Sequence, residues 1–172
     1  MRFLAFLLLA AATLTLHSVV APRLTVLDVR PDLVLVVAVF LSVHSRRSWG
    51  LWSGALLGLG CDVLSAERPG LFTLSYGAVG VFAFSLRDFI FVYHALVQAA
   101  LTFCCAAAVH AGWWSYRMMA YPQGVGGVGQ ELRLAGGAAL YAALLAPLVH
   151  YVLLKLWKPL GLPAPRYRAT AR

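Results

Sequence analysis

The stretch Gly50-Leu51-Trp52-Ser53-Gly54-Ala55-Leu56-Leu57-Gly58-Leu59-Gly60-Cys61-Asp62 sets a glycine at every fourth position, puts an aspartate on the next step, and is closed by Gly70. In a helix, a spacing of four keeps residues on one slowly drifting stripe. The segment therefore offers a nearly side-chain-free face that ends in a carboxylate. Glycines on a helix in lipid let a second backbone approach closely, and that approach is where membrane helices gain van der Waals packing. An aspartate among Leu56, Leu57, Leu59 and Val63 is expensive in such surroundings, so Asp62 is either a functional group or a paired structural one.

The surroundings follow from composition. The chain has 172 residues, 62% of them hydrophobic and only 12% charged, where about 25% charge is usual for a soluble domain. Its mean hydropathy is +0.81. Apolar runs cover nearly the whole length, which makes this an all-α polytopic membrane protein. No polar segment is long enough for a separate soluble domain. The 14 Lys/Arg against 6 Asp/Glu give a net charge of +8. These basic residues stand singly or in pairs between apolar runs, with five in the last eighteen positions. That pattern fits topology signals and contact with anionic lipid, and no nucleic-acid partner is expected. Cys61, Cys104 and Cys105 all fall in apolar runs and are read as buried free thiols.

Working outward, six spans are expected. The first run, Phe3 to Ala21, is longer than a signal-peptide core and is read as a retained helix ended by Pro22. A charged link over 22–32 leads to a second run at 33–45 and a third at 48–61, both short and joined by Arg46-Arg47. The second run makes roughly 20 Å of helix, against a hydrocarbon core about 30 Å thick. Asp32 and Asp62 lie fourteen and fifteen residues from that basic turn. A helical hairpin therefore sets them at nearly equal depth, roughly 21–23 Å from the turn. A fourth run at 71–86, a fifth at 89–112 and a sixth at 134–157 follow, the last with Gly136-Gly137 for packing and Pro147 as a kink. The segment 113–133 reads as a long non-spanning stretch, aromatic at first and glycine-rich later. Residues 1–158 are taken as one six-helix membrane domain and 159–172 as a disordered basic tail. With six spans, Arg2, Arg46, Arg47, Arg87 and the tail share one side, so both termini are expected to be cytoplasmic.

Two level carboxylates admit an intramembrane aspartyl protease, in which a pair of acids shares one proton. Some such enzymes carry Gly-x-Gly-Asp. Here Gly58-Leu59-Gly60-Cys61-Asp62 is one residue too long, which rotates the aspartate about 100° away. The plainer alternative is that Asp62 bonds a backbone group or an arginine such as Arg30 or Arg68 and locks helix packing. Among His17, His44, His94, His110 and His150 no two are three or four apart, so no local metal pair forms. No nucleophile elbow or phosphate-cradling loop occurs. No catalytic residue, cofactor or metal is therefore expected.

Pro22, then Arg30-Pro31-Asp32-Leu33 opening an apolar run, then Gly54, Gly58 and Asp62 with Gly70 eight residues on, resemble the rod shape-determining protein MreD family over residues 22–80. The resemblance implies a non-enzymatic scaffold of the bacterial inner membrane that acts in cell elongation and peptidoglycan synthesis. Its implied partners are the single-span periplasmic protein MreC and, in a larger complex, MreB, RodA and the RodA-associated transpeptidase. It also implies a fold similar to the six-helix vitamin-binding components of energy-coupling-factor transporters, so small-molecule binding is the rival reading. Few polar residues outside the loops could serve that rival, chiefly Gln98, Thr102, Gln123 and Gln130. The residues expected to carry packing or partner binding are Gly50, Gly54, Gly58, Gly70, Pro31, Asp32 and Asp62.

Overall fold

The computed structural model describes residues 3–25, 28–45, 47–65, 69–87, 94–120 and 127–156. Among them are six helices and no strands: α1 (Phe3–Val20), α2 (Leu33–His44), α3 (Arg47–Leu64), α4 (Leu71–Leu86), α5 (Ala95–Ala120) and α6 (Val128–Lys155). A 3-10 turn, Ala21–Leu24, with Pro22 in its first turn, ends α1. The tail expected over 159–172, together with Arg46, Arg68, Gln123, Gly124, Gly126 and Lys158, lies outside the described residues.

Side-chain contacts fix the direction of every helix. The start of α2 and the end of α3 both meet the first turns of α4, through Asp32–Tyr76 and Asp62–Thr73. At the far end, Arg87 after α4 donates to the Ser45 carbonyl after α2. Hence α2 and α4 run parallel and α3 runs against both. The aromatic rings of Phe3 and Phe6 meet Trp49 near the start of α3, and Leu14 faces Gly60, so α1 runs with α3. Trp113 late in α5 meets Phe72 early in α4, with ring centroids 4.5 Å apart. His150 late in α6 meets His44 at the end of α2. Successive helices therefore alternate in direction, and the first and last helices begin and end at the same pole.

The centre of the bundle is α2, which touches all five other helices. Ten consecutive residues, Leu33 to Ser42, are buried. A helix that is apolar all round needs either lipid or protein against every face, and here α1, α3, α4, α5 and α6 supply protein. The glycine-rich α3, which the sequence marks as the organiser, is peripheral by comparison, with Trp52, Leu59 and Val63 exposed. Hydropathy cannot separate the two cases, because lipid and protein interior are equally apolar.

Length divides the helices into two sets. Phe3–Leu24, Ala95–Ala120 and Val128–Lys155 are long and apolar enough to cross a membrane, whereas Leu33–His44, Trp49–Leu64 and Leu71–Leu86 are shorter. By rise, α2 is about 18 Å long and α4 about 24 Å.

The segment 113–133 is not the long non-spanning stretch read from the sequence. Its first eight residues continue α5, and α6 already begins at Val128. Trp113 through Ala120 holds no glycine or proline, so nothing in it breaks the helix that precedes it. An ion pair between Arg117 and Glu131, 3.2 Å apart, ties the two helices in this extension. Pro147 lies inside α6, which continues through it to Lys155. Of the three free cysteines, Cys61 and Cys105 are buried, but Cys104 is exposed, because neighbouring residues in a helix point about 100° apart.

Candidate functional site

The site is built from the N-termini of two helices. The first four N–H groups of a helix lack intrahelical acceptors, and in an apolar setting each one left unpaired costs several kcal/mol. Helix α2 meets this need locally. Asp32 is its N-cap, and one carboxylate oxygen accepts the Leu35 amide at 3.0 Å. Pro31, wholly buried just before it, holds Arg30 away from helical geometry and so sharpens the start.

Helix α4 cannot do the same. Its N-cap is Gly70, which has no side chain and takes φ +97°, a left-handed conformation that other residues rarely adopt. The cap comes instead from α3. Asp62 accepts the Phe72 amide at 3.1 Å through one oxygen and the Thr73 amide at 3.0 Å through the other. The Thr73 hydroxyl donates a further short bond to that second oxygen. The carboxylate thus sits at the positive end of the α4 dipole and takes up two of its first-turn amides.

Both acids converge on one helix. The second oxygen of Asp32 accepts the Tyr76 hydroxyl at 2.7 Å, and Tyr76 follows Thr73 by three residues, about 4.5 Å of rise. The carboxylates therefore lie within roughly one turn of each other in depth, as the hairpin spacing predicts. Each is held by α4 donors. Of the partners weighed for Asp62, the backbone group is the one found; among the described residues no ion pair joins Arg30 to Asp62.

The glycine stripe of α3 faces α4. A Cβ on Gly54 would run into the Tyr76 carbonyl and come within 3.3 Å of the Gly80 Cα. One on Gly58 would strike the Phe72 carbonyl and lie 2.7 Å from the Thr73 Cα. One on Gly50 would lie 2.8 Å from the Phe84 ring and 2.9 Å from the Ser42 carbonyl. Gly54 and Gly58 let the α4 backbone come near enough for Asp62 to reach its amides. A Cβ on Gly70 would meet nothing within 4 Å, so what excludes a side chain there is the left-handed backbone and not crowding.

Sequence reasoning missed Thr73 and Tyr76, the donors that give the acids their purpose. Three hydroxyl residues, Thr73, Ser75 and Tyr76, just after Gly70 at the head of an apolar run, were the available signal. It also left His44 and His150 as isolated groups, yet their rings lie 5.8 Å apart, with Phe40 against both. No spacing rule reaches across 106 positions. Among the described residues no group of three or more metal-ligating side chains occurs. The rival's polar residues divide: Gln98 and Thr102 are buried in α5, Gln130 is exposed, and Gln123 lies outside the described residues.

An apolar helical bundle, with three helices long and apolar enough to cross a membrane and two carboxylates fastening its own helix ends, marks a membrane protein. Comparison with known proteins then gives the family. The family model described as rod shape-determining protein MreD matches residues 1–119, from α1 nearly to the end of α5, and the chain belongs to that family. Comparisons with curated proteins and with solved structures returned no match.

Proposed function

We propose that this rod shape-determining membrane protein is a non-catalytic scaffold of the cell-elongation machinery. In this reading it crosses the inner membrane six times, with both termini cytoplasmic. It captures the single span of MreC and, through that partner, helps couple MreB filaments to RodA and its transpeptidase. The observation that carries the reading is the engagement of both acids: Asp32 and Asp62 are each committed to α4 donors, which suits a rigid platform and leaves no proton-sharing pair. Six crossings are supported by the strict alternation of helix direction. The short α2 is compatible with them, because a helix surrounded by protein need not match the lipid thickness.

The glycine stripe is filled by α4, so a partner helix would use another surface. The outer stripe of α3, with Trp52, Leu56, Leu59 and Val63 exposed at alternating spacings of four and three, has the periodicity of a helix-packing seam. Detergent co-purification with MreC tests the proposal. Capture is expected from the wild-type chain and should fall severalfold in Leu56→Ser/Leu59→Ser with thermal stability unchanged. Absence of MreC capture by the wild-type chain would overturn the partner, and undiminished capture by the variant would overturn the surface.

A further inference from the structure

A second polar feature lies at the pole of the bundle where α2 and α4 begin. Asp28 and Arg30 from the link before α2, His110 and Arg117 from α5, and Glu131 from α6 line one cavity of about 240 Å³, floored on α6 by Ala138. The link is seated there by Val29, whose methyl group would lie 2.8 Å from a Cβ on Gly137. Arg117 and Glu131 bridge the cavity wall at 3.2 Å, and the Glu131 side chain is 15% exposed. The Nε2 of His110 is buried and has no hydrogen-bond partner. A buried polar atom left unpaired is costly, and at the wall of a polar cavity an occupant can supply the missing partner.

We infer that this cavity binds the headgroup of a zwitterionic phospholipid bearing a primary ammonium, of the phosphatidylethanolamine type. The charge pattern selects that chemistry. A purely anionic headgroup would meet Asp28 and Glu131, and a purely cationic ligand would meet Arg30 and Arg117. A phosphate joined to an ammonium by two carbons satisfies both sets at once. Guanidinium groups match phosphate oxygens in fork geometry, and an ammonium gives three donors to carboxylates. Leu134, Ala135 and Ala138 on the α6 side supply the apolar wall that the glycerol and first acyl carbons require. Trp113 and Trp114 precede Arg117 by one turn on α5, consistent with headgroup depth.

The test uses the full chain, stripped of lipid in detergent and offered equal amounts of phosphatidylethanolamine, phosphatidylcholine and phosphatidylglycerol, with retained lipid read by native mass spectrometry. Phosphatidylethanolamine should be retained at least threefold over phosphatidylcholine, whose methylated nitrogen has no N–H, and over phosphatidylglycerol, which has no cation. Arg30→Gln and Asp28→Asn, both at exposed link positions, should each reduce that preference toward parity without changing the lipid-free melting temperature. Equal retention of the three lipids by the wild-type chain, or a preference for phosphatidylglycerol, overturns the inference whatever the variants do. So does an ethanolamine preference that both variants retain.

Discussion

The Tyr76 hydroxyl donates at 2.7 Å to the Asp32 carboxylate, joining the second turn of α4 to the N-cap of α2 across 44 positions of sequence. Tyr76 is 2% exposed, so the bond forms out of water. It holds α2, the most enclosed helix, in register with α4. Because Asp62 also grips α4, the three helices α2, α3 and α4 are fastened at one pole by two acids.

Tyr76→Phe should destabilise the protein by about 1–2 kcal/mol, the cost of leaving a half-buried carboxylate oxygen without its donor. Ring packing against Phe72 is retained by the substitution, so the loss isolates the hydroxyl. A double-mutant cycle with Asp32→Asn, read by thermal unfolding in detergent, should give a coupling of about 0.5 kcal/mol or more. Strict additivity would show that the two groups do not stabilise each other.

Asp62→Asn should cost about 1–2 kcal/mol and Asp62→Leu about 3 kcal/mol, since the amide retains one acceptor oxygen whereas leucine leaves the Phe72 and Thr73 amides unpaired. Residual packing cannot replace the cap, because Gly70 offers no side chain of its own. Thermal melts of both variants, with hydrogen exchange at the first turn of α4, check the order. Equal loss in both would assign the effect to charge and not to hydrogen bonding.

The glycines should separate by mechanism. Gly54→Ala and Gly58→Ala push against α4 backbone and should be severe. Gly60→Ala meets only the mobile end of Leu14, 2.6 Å from the added Cβ, and should be mild. Gly70→Ala meets no neighbour but must hold φ +97°, a strain of about 1–2 kcal/mol. Gly70→Asn should recover part of that loss, because asparagine tolerates the left-handed region. Comparable melting temperatures for the Gly54 and Gly60 variants would refute the close-approach account of the stripe.

How much of this was legible depended on whether the cause was local. The helices, the antiparallel pairing of α2 with α3 and the nearness in depth of Asp32 and Asp62 follow from apolar run length and helical rise, which a sequence carries directly. The glycine stripe was visible as a packing face, but its occupant was not, since spacing on α3 says nothing of which helix arrives. Asp62 stood out as a costly group, while its purpose lay in the missing cap of Gly70 and in Thr73, two features that acquire meaning only when α3 and α4 are side by side. The enclosure of α2 was hidden for a related reason: Leu33 to Ser42 would read the same facing lipid as facing protein. The extension of α5 past Gly112 is not legible in this way, because the tryptophans and arginine that follow mark a change of surroundings and not the end of a helix.

Orientation is open to direct measurement. Gln130 and Lys155 are exposed near opposite ends of α6, and α6 is long enough to cross the membrane by itself. In a background with Cys61, Cys104 and Cys105 replaced by alanine, Gln130→Cys should react with a membrane-impermeant maleimide in intact cells. Lys155→Cys should react only after the membrane is opened. The expectation rests on the sequence pattern in which Arg2, Arg46, Arg47, Arg87 and the basic tail fall on one side of a six-span chain, since such residues are retained on the cytoplasmic side. The same pole holds Arg87, which lies over the Phe84 ring at 3.8 Å while donating to Ser45, so at least one of these charges is built into the helix ends. Labelling in the opposite order would invert the bundle and put the Asp32–Asp62 pole in the cytoplasm.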